Sequence, residues 1–401
     1  MDNKLFATFI DVFKTTHDEI RCFFAPGRVN LIGEHTDYNG GHVFPCALSI
    51  GTYAIAKKRT DNQIRMYSVN FEEIGMIEFS LDELKYEKQH DWANYPKAVV
   101  ATLYKHGFHL EAGFDVLFAG QIPNGAGLSS SASIEVATAV LVKNLFDLKI
   151  ESVAMVQLCQ QAENEFIGVN CGIMDQFAIG MSKENHAILL DCQTLKYTYS
   201  PLKLENAALV IANTNKRRGL ADSKYNERRS ECERALRDIQ KELPIQSLGE
   251  LDPKQFDSYQ HVIKKEVDRK RARHAVYENA RTKEAVINLR NGDIAGFGQL
   301  MNQSHISLRD DYEVTGTELD ALVEASWAQQ GVIGSRMTGA GFGGCTISIV
   351  EKSHLNNVVE QIGKEYTTKT GLTADFYVVE VGDGAKEIFG MATGESMEKF
   401  L

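Results

Sequence analysis

The residues best equipped for chemistry in this chain lie in three glycine-bearing segments, 26–39, 123–133 and 337–345. The middle one, Pro-Asn-Gly-Ala-Gly-Leu-Ser-Ser-Ser-Ala-Ser, has the makings of a phosphate cradle. Gly125 and Gly127 let the backbone approach an anion, and Ser129, Ser130 and Ser131 supply hydroxyls. Alternation before it (Phe114, Val116, Phe118) and three- and four-residue spacing after it (Ile134, Ala137, Leu141, Leu145) place it between a strand and the start of a helix. The free N–H groups and positive dipole end of that helix would face the same anion. No Lys-Ser or Lys-Thr pair follows Gly127, and Ser130 stands where a third glycine would complete G-x-G-x-x-G, so neither common nucleotide fingerprint is present. Taken alone, such a turn is equally a capped helix start.

The first segment crowds Glu34, His35, Asp37 and Asn39 around Gly33, after a Pro26-Gly27 turn and the cation of Arg28. Carboxylates that accept from neighbouring hydroxyls are how a polyol is read. The plain alternative is a polar loop with an Asx-turn and a structural Arg–Glu pair. A metal centre built on Glu34-His35-x-Asp37 is disfavoured, because no second histidine motif accompanies it and His106 and His109 stand as a lone pair. In the third segment, Gly339, Gly341, Gly343 and Gly344 strip a loop of side chains before a strand-like run, which brings backbone close either to a ligand or to another segment.

Two acids stand out elsewhere. Asp175 sits between Met174 and Phe177, just beyond Gly172, and an acid in such apolar company must be paired or functional; Arg28 is its natural partner, and a helix N-cap is the alternative. Glu163 lies at the edge of a helical apolar face (Met155, Leu158, Cys159, Ala162, Phe166), where it is either a solvated flank or the carboxylate that a hard cation bridging nucleotide phosphates requires.

The elements that must position these groups are mixed. Strand-like patterns occupy 52–59, 65–71, 114–118, 186–191, 207–212, 346–350 and 374–381, and helical periods occupy 92–106, 133–145, 155–167, 223–241, 262–290, 294–310 and 316–329. Without strict βαβ alternation this predicts an α+β protein. At 401 residues two domains are expected, with the boundary in the polar stretch around 193–205: an N-terminal domain over 1–195 and a C-terminal domain over 196–401. The first and third glycine segments then fall in different halves, with a ligand cleft between them.

Composition narrows the class of partner. A net charge of −11 disfavours nucleic acid, and the basic run 264–274, interrupted by Ile263, Val267, Glu266 and Asp268, reads as a solvated helix face. Seven scattered cysteines with no Cys-x-x-Cys pair argue against a disulfide framework and for a reducing, cytoplasmic setting. No apolar run reaches the length of a membrane span, and stretch 1–19 does not read as a leader, so a soluble, unprocessed chain without membrane partners is expected, as a monomer or weak dimer.

In order and spacing, the three segments resemble the three signature motifs of the GHMP small-molecule kinases, and Gly-Arg-Val-Asn-Leu-Ile-Gly-Glu-His-Thr-Asp-Tyr-Asn resembles the form of the first motif that sets galactokinases apart within that family. The resemblance implies an S5-like N-terminal domain, a ferredoxin-like C-terminal domain and an active site in the cleft between them. It implies transfer of a phosphoryl group from ATP to the C1 hydroxyl of galactose, with Asp175 as base and Arg28 as the cation beside it. Glu34, His35, Thr36, Asp37, Gly172 and Tyr225 would contact the sugar. Ser68, Gly125, Ala126, Gly127, Leu128, Ser129, Ser130 and Ser131 would hold ATP, and Ser131 with Glu163 would hold Mg2+. Two other readings stay open: a related kinase acting on N-acetylgalactosamine or arabinose, and a silent sugar sensor of the same fold. The intact serine run and Asp175 speak against the sensor.

Overall fold

The computed structural model describes residues 3–123, 127–202, 204–216 and 221–389. Its strands are β1 (Arg21–Asn30), β2 (His42–Val43), β3 (Pro45–Lys58), β4 (Gln63–Ser68), β5 (Ile77–Ser80), β6 (Phe114–Gly120), β7 (His186–Asp191), β8 (Tyr197–Pro201), β9 (Ala207–Asn213), β10 (Val332–Thr338), β11 (Cys345–Glu351), β12 (Asp375–Val379) and β13 (Lys386–Phe389). They form a six-stranded sheet of order β13-β1-β3-β6-β4-β5, a three-stranded sheet β2-β7-β8 and a four-stranded sheet β10-β11-β9-β12.

The six-stranded sheet is apolar on both faces, and its residues divide between them with the period of two that a strand imposes. Phe23, Ala54, Ala56, Val116 and Phe118 face a core shared with the helices Asn94–Lys105, Ser130–Leu145 and Ser152–Ala162. Their neighbours Cys22, Ile55 and Leu117 face the other way, onto Phe6, Phe9 and Phe13 of the helix Asn3–Phe13. The antiparallel register of β1 and β3 slips between Pro26 and Arg28. Such a bulge turns the following side chains, and here it precedes the cation of the first segment.

In the second half the chain runs β9, helices, β10, β11, the helix Leu355–Thr370 and β12, with spatial order β12-β9-β11-β10. That is the ferredoxin-like arrangement, and the α+β class is as expected. The expected boundary at 195 falls in the turn between β7 and β8, which pair with each other, and β13 returns to the first sheet beside β1, anchored by a two-pronged Arg21–Glu387 ion pair at 2.7 and 2.5 Å. The two halves are therefore not two uninterrupted stretches of chain.

Candidate active site

The bulged end of β1 sends Arg28 toward the start of the helix Met174–Met181. Its Nε and Nη2 donate to Asp175 Oδ1 and Oδ2 at 2.8 and 2.9 Å, and its Nη1 donates to the Gly127 carbonyl at 2.8 Å. Asp175 lies in the first turn of that helix, where the dipole favours a carboxylate, but it makes no capping bond; its second oxygen also accepts from Ser129. Arg28 is almost wholly buried, whereas the Asp175 side chain keeps 28% of its surface open, toward a cavity of about 390 Å³. A fork-to-fork pair of this kind fixes the carboxylate plane as well as its charge.

The cavity brings together Arg28, Glu34, His35, Asp37, Gly172, Tyr225, Glu163 and Asp175 with Gly339 and Ala340 of the third segment. Glu34 is 1% exposed and most of its bonding capacity is taken: Oε1 accepts from the Gly339 amide at 2.6 Å, Thr338 Oγ1 at 3.2 Å and Arg336 Nη1 at 3.4 Å, and Oε2 accepts from Asn30 Nδ2 at 3.1 Å. This carboxylate bolts the first segment to the third. Gly339, with φ of +84°, comes so near the middle segment that a Cβ there would stand 2.9 Å from the Gly127 carbonyl.

Both ring nitrogens of His35 are engaged, Nε2 with the Ala340 carbonyl at 3.3 Å and Nδ1 with Tyr38 at 2.7 Å. A carbonyl only accepts, so Nε2 carries the proton and the Tyr38 hydroxyl donates to Nδ1; Tyr312 then donates to Tyr38 at 2.7 Å. Burial holds the ring neutral, with its pKa pushed down to about 3. Asp37 is half-buried. Burial, with the facing charge of Asp175 next, pushes its carboxyl up to about 7. Gly172 packs directly on it: a Cβ there would lie 1.8 Å from Asp37 Oδ2.

Thr36 is brought to the loop but not to the cavity. It is fully buried, and its hydroxyl faces the Gly33 and His42 carbonyls at 2.8 and 2.7 Å. Leu128 is likewise buried, offering its carbonyl to the Arg28 amide at 3.3 Å. Gly125 and Ala126 lie outside the described residues. Ser129 turns its hydroxyl to Asp175, while Ser130 and Ser131 line a second cavity of about 240 Å³ with Ser68, Phe71, Trp92, Tyr95 and Phe118. A polar rim at a helix start that opens onto aromatic faces suits a nucleotide. Sequence reading missed Trp92 and Tyr95, whose ring types are the available signal, and it missed Arg336, a fully buried arginine inside strand β10.

Three acids crowd the junction of the cavities. Burial, then the charge of Asp175, pushes Glu163 up to about 6; burial and the charge of Glu163 hold Glu135 well above the usual carboxylate range. Among the described residues no group of three or more His, Cys, Asp or Glu side chains could cage a metal. Glu163, whose carboxylate is hydrogen-bonded to the Ser131 hydroxyl, pairs the two oxygen types that could hold a hard cation bridging phosphates.

Family models match along the chain: the galactokinase galactose-binding signature over residues 7–58, the GHMP kinase N-terminal domain over 94–183 and the GHMP kinase C-terminal domain over 285–368. The chain is 60% identical to the galactokinase of Fusobacterium nucleatum over 389 residues, covering 97% of this chain and 100% of that protein. It is 55% identical to the galactokinase of Bacillus subtilis over 390 residues, with 97% and 100% covered. The chain belongs to the galactokinases of the GHMP kinase family. As a galactokinase-family kinase it takes ATP as a substrate. The crystal structure of Lactococcus lactis galactokinase complexed with galactose superposes with a TM-score of 0.94 at 48% identity, over 96% of this chain and 99% of that one. At 19% identity and a TM-score of 0.66, Methanococcus jannaschii mevalonate kinase shares the fold across 92% of this chain and 100% of its own. No helix among the described residues is long and apolar enough to cross a membrane.

Proposed function

We propose that this chain transfers the terminal phosphoryl group of ATP to the C1 hydroxyl of α-D-galactose, giving galactose 1-phosphate and ADP. The observation that carries it is Asp175, clamped by Arg28 at the point where the sugar-sized cavity meets the glycine-serine loop. Asp37, Glu34, His35 and Tyr225 line the sugar side, and Ser130, Ser131, Ser68 and the aromatic wall line the nucleotide side.

Phosphoryl transfer asks mainly for position and charge stabilisation. The open edge of Asp175 accepts the C1 hydroxyl proton as the oxygen attacks. Arg28 holds that carboxylate in plane and places a buried positive charge beside the phosphoryl group in flight. The backbone amides at the start of the helix Ser130–Leu145 face the phosphates. Ser131 and Glu163 are the residues that would hold Mg2+, which when bound neutralises phosphate charge. Asp37 accepts sugar hydroxyls and fixes which carbon faces Asp175.

The test is an ATP-consumption assay across sugars: galactose, glucose, N-acetylgalactosamine and arabinose, with the product's phosphate position read by NMR. Phosphate on C1 of galactose is expected, with the other sugars turned over at least tenfold more slowly. Sugar binding without turnover would make the chain a sensor, and preference for N-acetylgalactosamine or arabinose would move it to a neighbouring specificity.

A further inference from the structure

Behind Glu163 lies a pair of residues that the reaction as described leaves unused. Glu135, in the helix Ser130–Leu145, is fully buried, and so is Gln176, the residue after Asp175. The two hydrogens of the Gln176 amide nitrogen are shared between two acids: Nε2 lies 2.6 Å from Glu163 Oε2 and 3.1 Å from Glu135 Oε2. That Glu163 oxygen also takes a weak contact from Cys171 Sγ at 3.5 Å. Glu135 Oε1 and Gln176 Oε1 are buried with no hydrogen-bond partner among the described residues. A buried glutamic acid and a buried amide that tolerate unfilled acceptors are costly for a core, by general experience of such groups. A hydrophobic pair of the same volume would pack there without that cost.

We infer that Gln176, buttressed by Glu135, is a positioning residue for the Mg2+-nucleotide site: it grips one oxygen of Glu163 from behind so that the carboxylate turns its other oxygen and the adjoining Ser131 toward the cation. The amide faces Glu163 nitrogen-first, because its oxygen would meet an acceptor-only carboxylate; its second hydrogen goes to Glu135 Oε2, so Glu135 helps set the amide and the amide sets Glu163. The helix Met174–Met181 then couples the cation ligand to the base, since Asp175 and Gln176, which holds Glu163, are consecutive residues. Second-layer hydrogen bonds of this kind hold a ligating carboxylate in its binding rotamer. This rests on the reading that Glu163 and Ser131 hold Mg2+.

The experiment compares the parent with Gln176→Leu, Glu135→Ala, Glu135→Gln and Glu163→Gln. Calorimetry measures binding of MgATP, of ATP in excess EDTA and of galactose; Mn2+ paramagnetic resonance in the presence of ADP reads the cation directly; melting curves monitor the fold. Gln176→Leu is expected to weaken MgATP and Mn2+ binding at least tenfold, leaving metal-free ATP and galactose within about twofold. Glu135→Ala should do the same more mildly, and Glu135→Gln, which can still accept from the amide, should restore most of it. Cation binding unchanged in Gln176→Leu while Glu163→Gln loses it would overturn the inference. Unchanged cation binding in Glu163→Gln would instead sink the reading on which it rests. Equal loss of galactose and MgATP in Gln176→Leu and Glu135→Ala, with lowered melting temperature, would also overturn it and leave the pair as plain core.

Discussion

Arg28 and Asp175 are 147 residues apart in sequence and meet through two parallel hydrogen bonds of 2.8 and 2.9 Å, with the third arm of the guanidinium on the Gly127 carbonyl. The pair therefore locks the first glycine segment, the phosphate loop and the acid into one rigid unit. Removing the proton acceptor while keeping its shape isolates the chemical role. Asp175→Asn should lower kcat at least a hundredfold, in line with the roughly 10²–10⁴ that general-base assistance supplies, with galactose still bound. Arg28→Ala added to it should cost less than the product of the single effects, because the two act as a unit. Turnover by Asp175→Asn within tenfold of the parent would remove the base.

Glu34 should behave as a structural acid more than as a sugar reader. It is the buried counter-charge of Arg336 and the acceptor for the Gly339 amide, so Glu34→Ala leaves a buried arginine unpaired, at a cost of about 3–5 kcal/mol. Unfolding by urea should show that loss, and Glu34→Leu combined with Arg336→Met should recover much of it, since removing both partners spares the unpaired charge. A Glu34→Ala protein as stable as the parent would contradict the bolt.

Legibility in the sequence followed how local each signal was. The phosphate loop, Arg28 and Asp175 announced themselves because glycines and a lone acid among apolar residues are local signals. The role of Glu34 did not: its donors Asn30, Arg336, Thr338 and Gly339 are in part some 300 residues away, so density of polar groups read as polyol recognition when much of it is spent on holding two segments together. Strand β1 was hidden because it is buried on nearly every residue and shows no alternation, and β13 because four residues at a sheet edge carry no period. The helix Leu355–Thr370 has plain spacing at Leu355, Val358, Val359, Ile362 and Tyr366, and nothing physical hid it. The helical period read over 155–167 reaches its expected end, and what it does not show is that the last turn widens at Glu163–Ile167, which is where the candidate cation ligand sits.

Asp37 should make galactose binding pH-dependent. Burial and the charge of Asp175 raise its carboxyl to about 7, against about 3.8 in an unfolded chain, so the folded protein binds the proton more tightly. Stability from this group is then present at low pH and declines as pH rises from about 4 through 7. Sugar hydroxyls donate to the ionised form and pull the pKa down. Galactose binding should therefore release a proton near pH 7 and tighten between pH 6 and 8. Calorimetry in two buffers of different protonation enthalpy measures that release directly, and Asp37→Asn should abolish it. Equal proton release in parent and Asp37→Asn would assign the titration to another group.

Gly172 gives the narrowest test of the sugar wall. Its backbone lies outside the positive-φ region, so alanine meets no conformational penalty; the added methyl meets Asp37 first, at 1.8 Å from Oδ2 and 2.4 Å from Cγ. The nearest atoms all belong to the end of one short side chain, which can swing away, so the fold should survive with its melting temperature nearly unchanged. What is lost is the placement of the carboxylate. Gly172→Ala should raise KM for galactose at least tenfold, equivalent to about 1.4 kcal/mol, with KM for ATP held within twofold. Because the damage travels through Asp37, adding Gly172→Ala to Asp37→Ala should cost little more than Asp37→Ala alone. Full additivity of the two, or an unaltered galactose KM in Gly172→Ala, would mean that Asp37 does not touch the sugar from this side of the cavity.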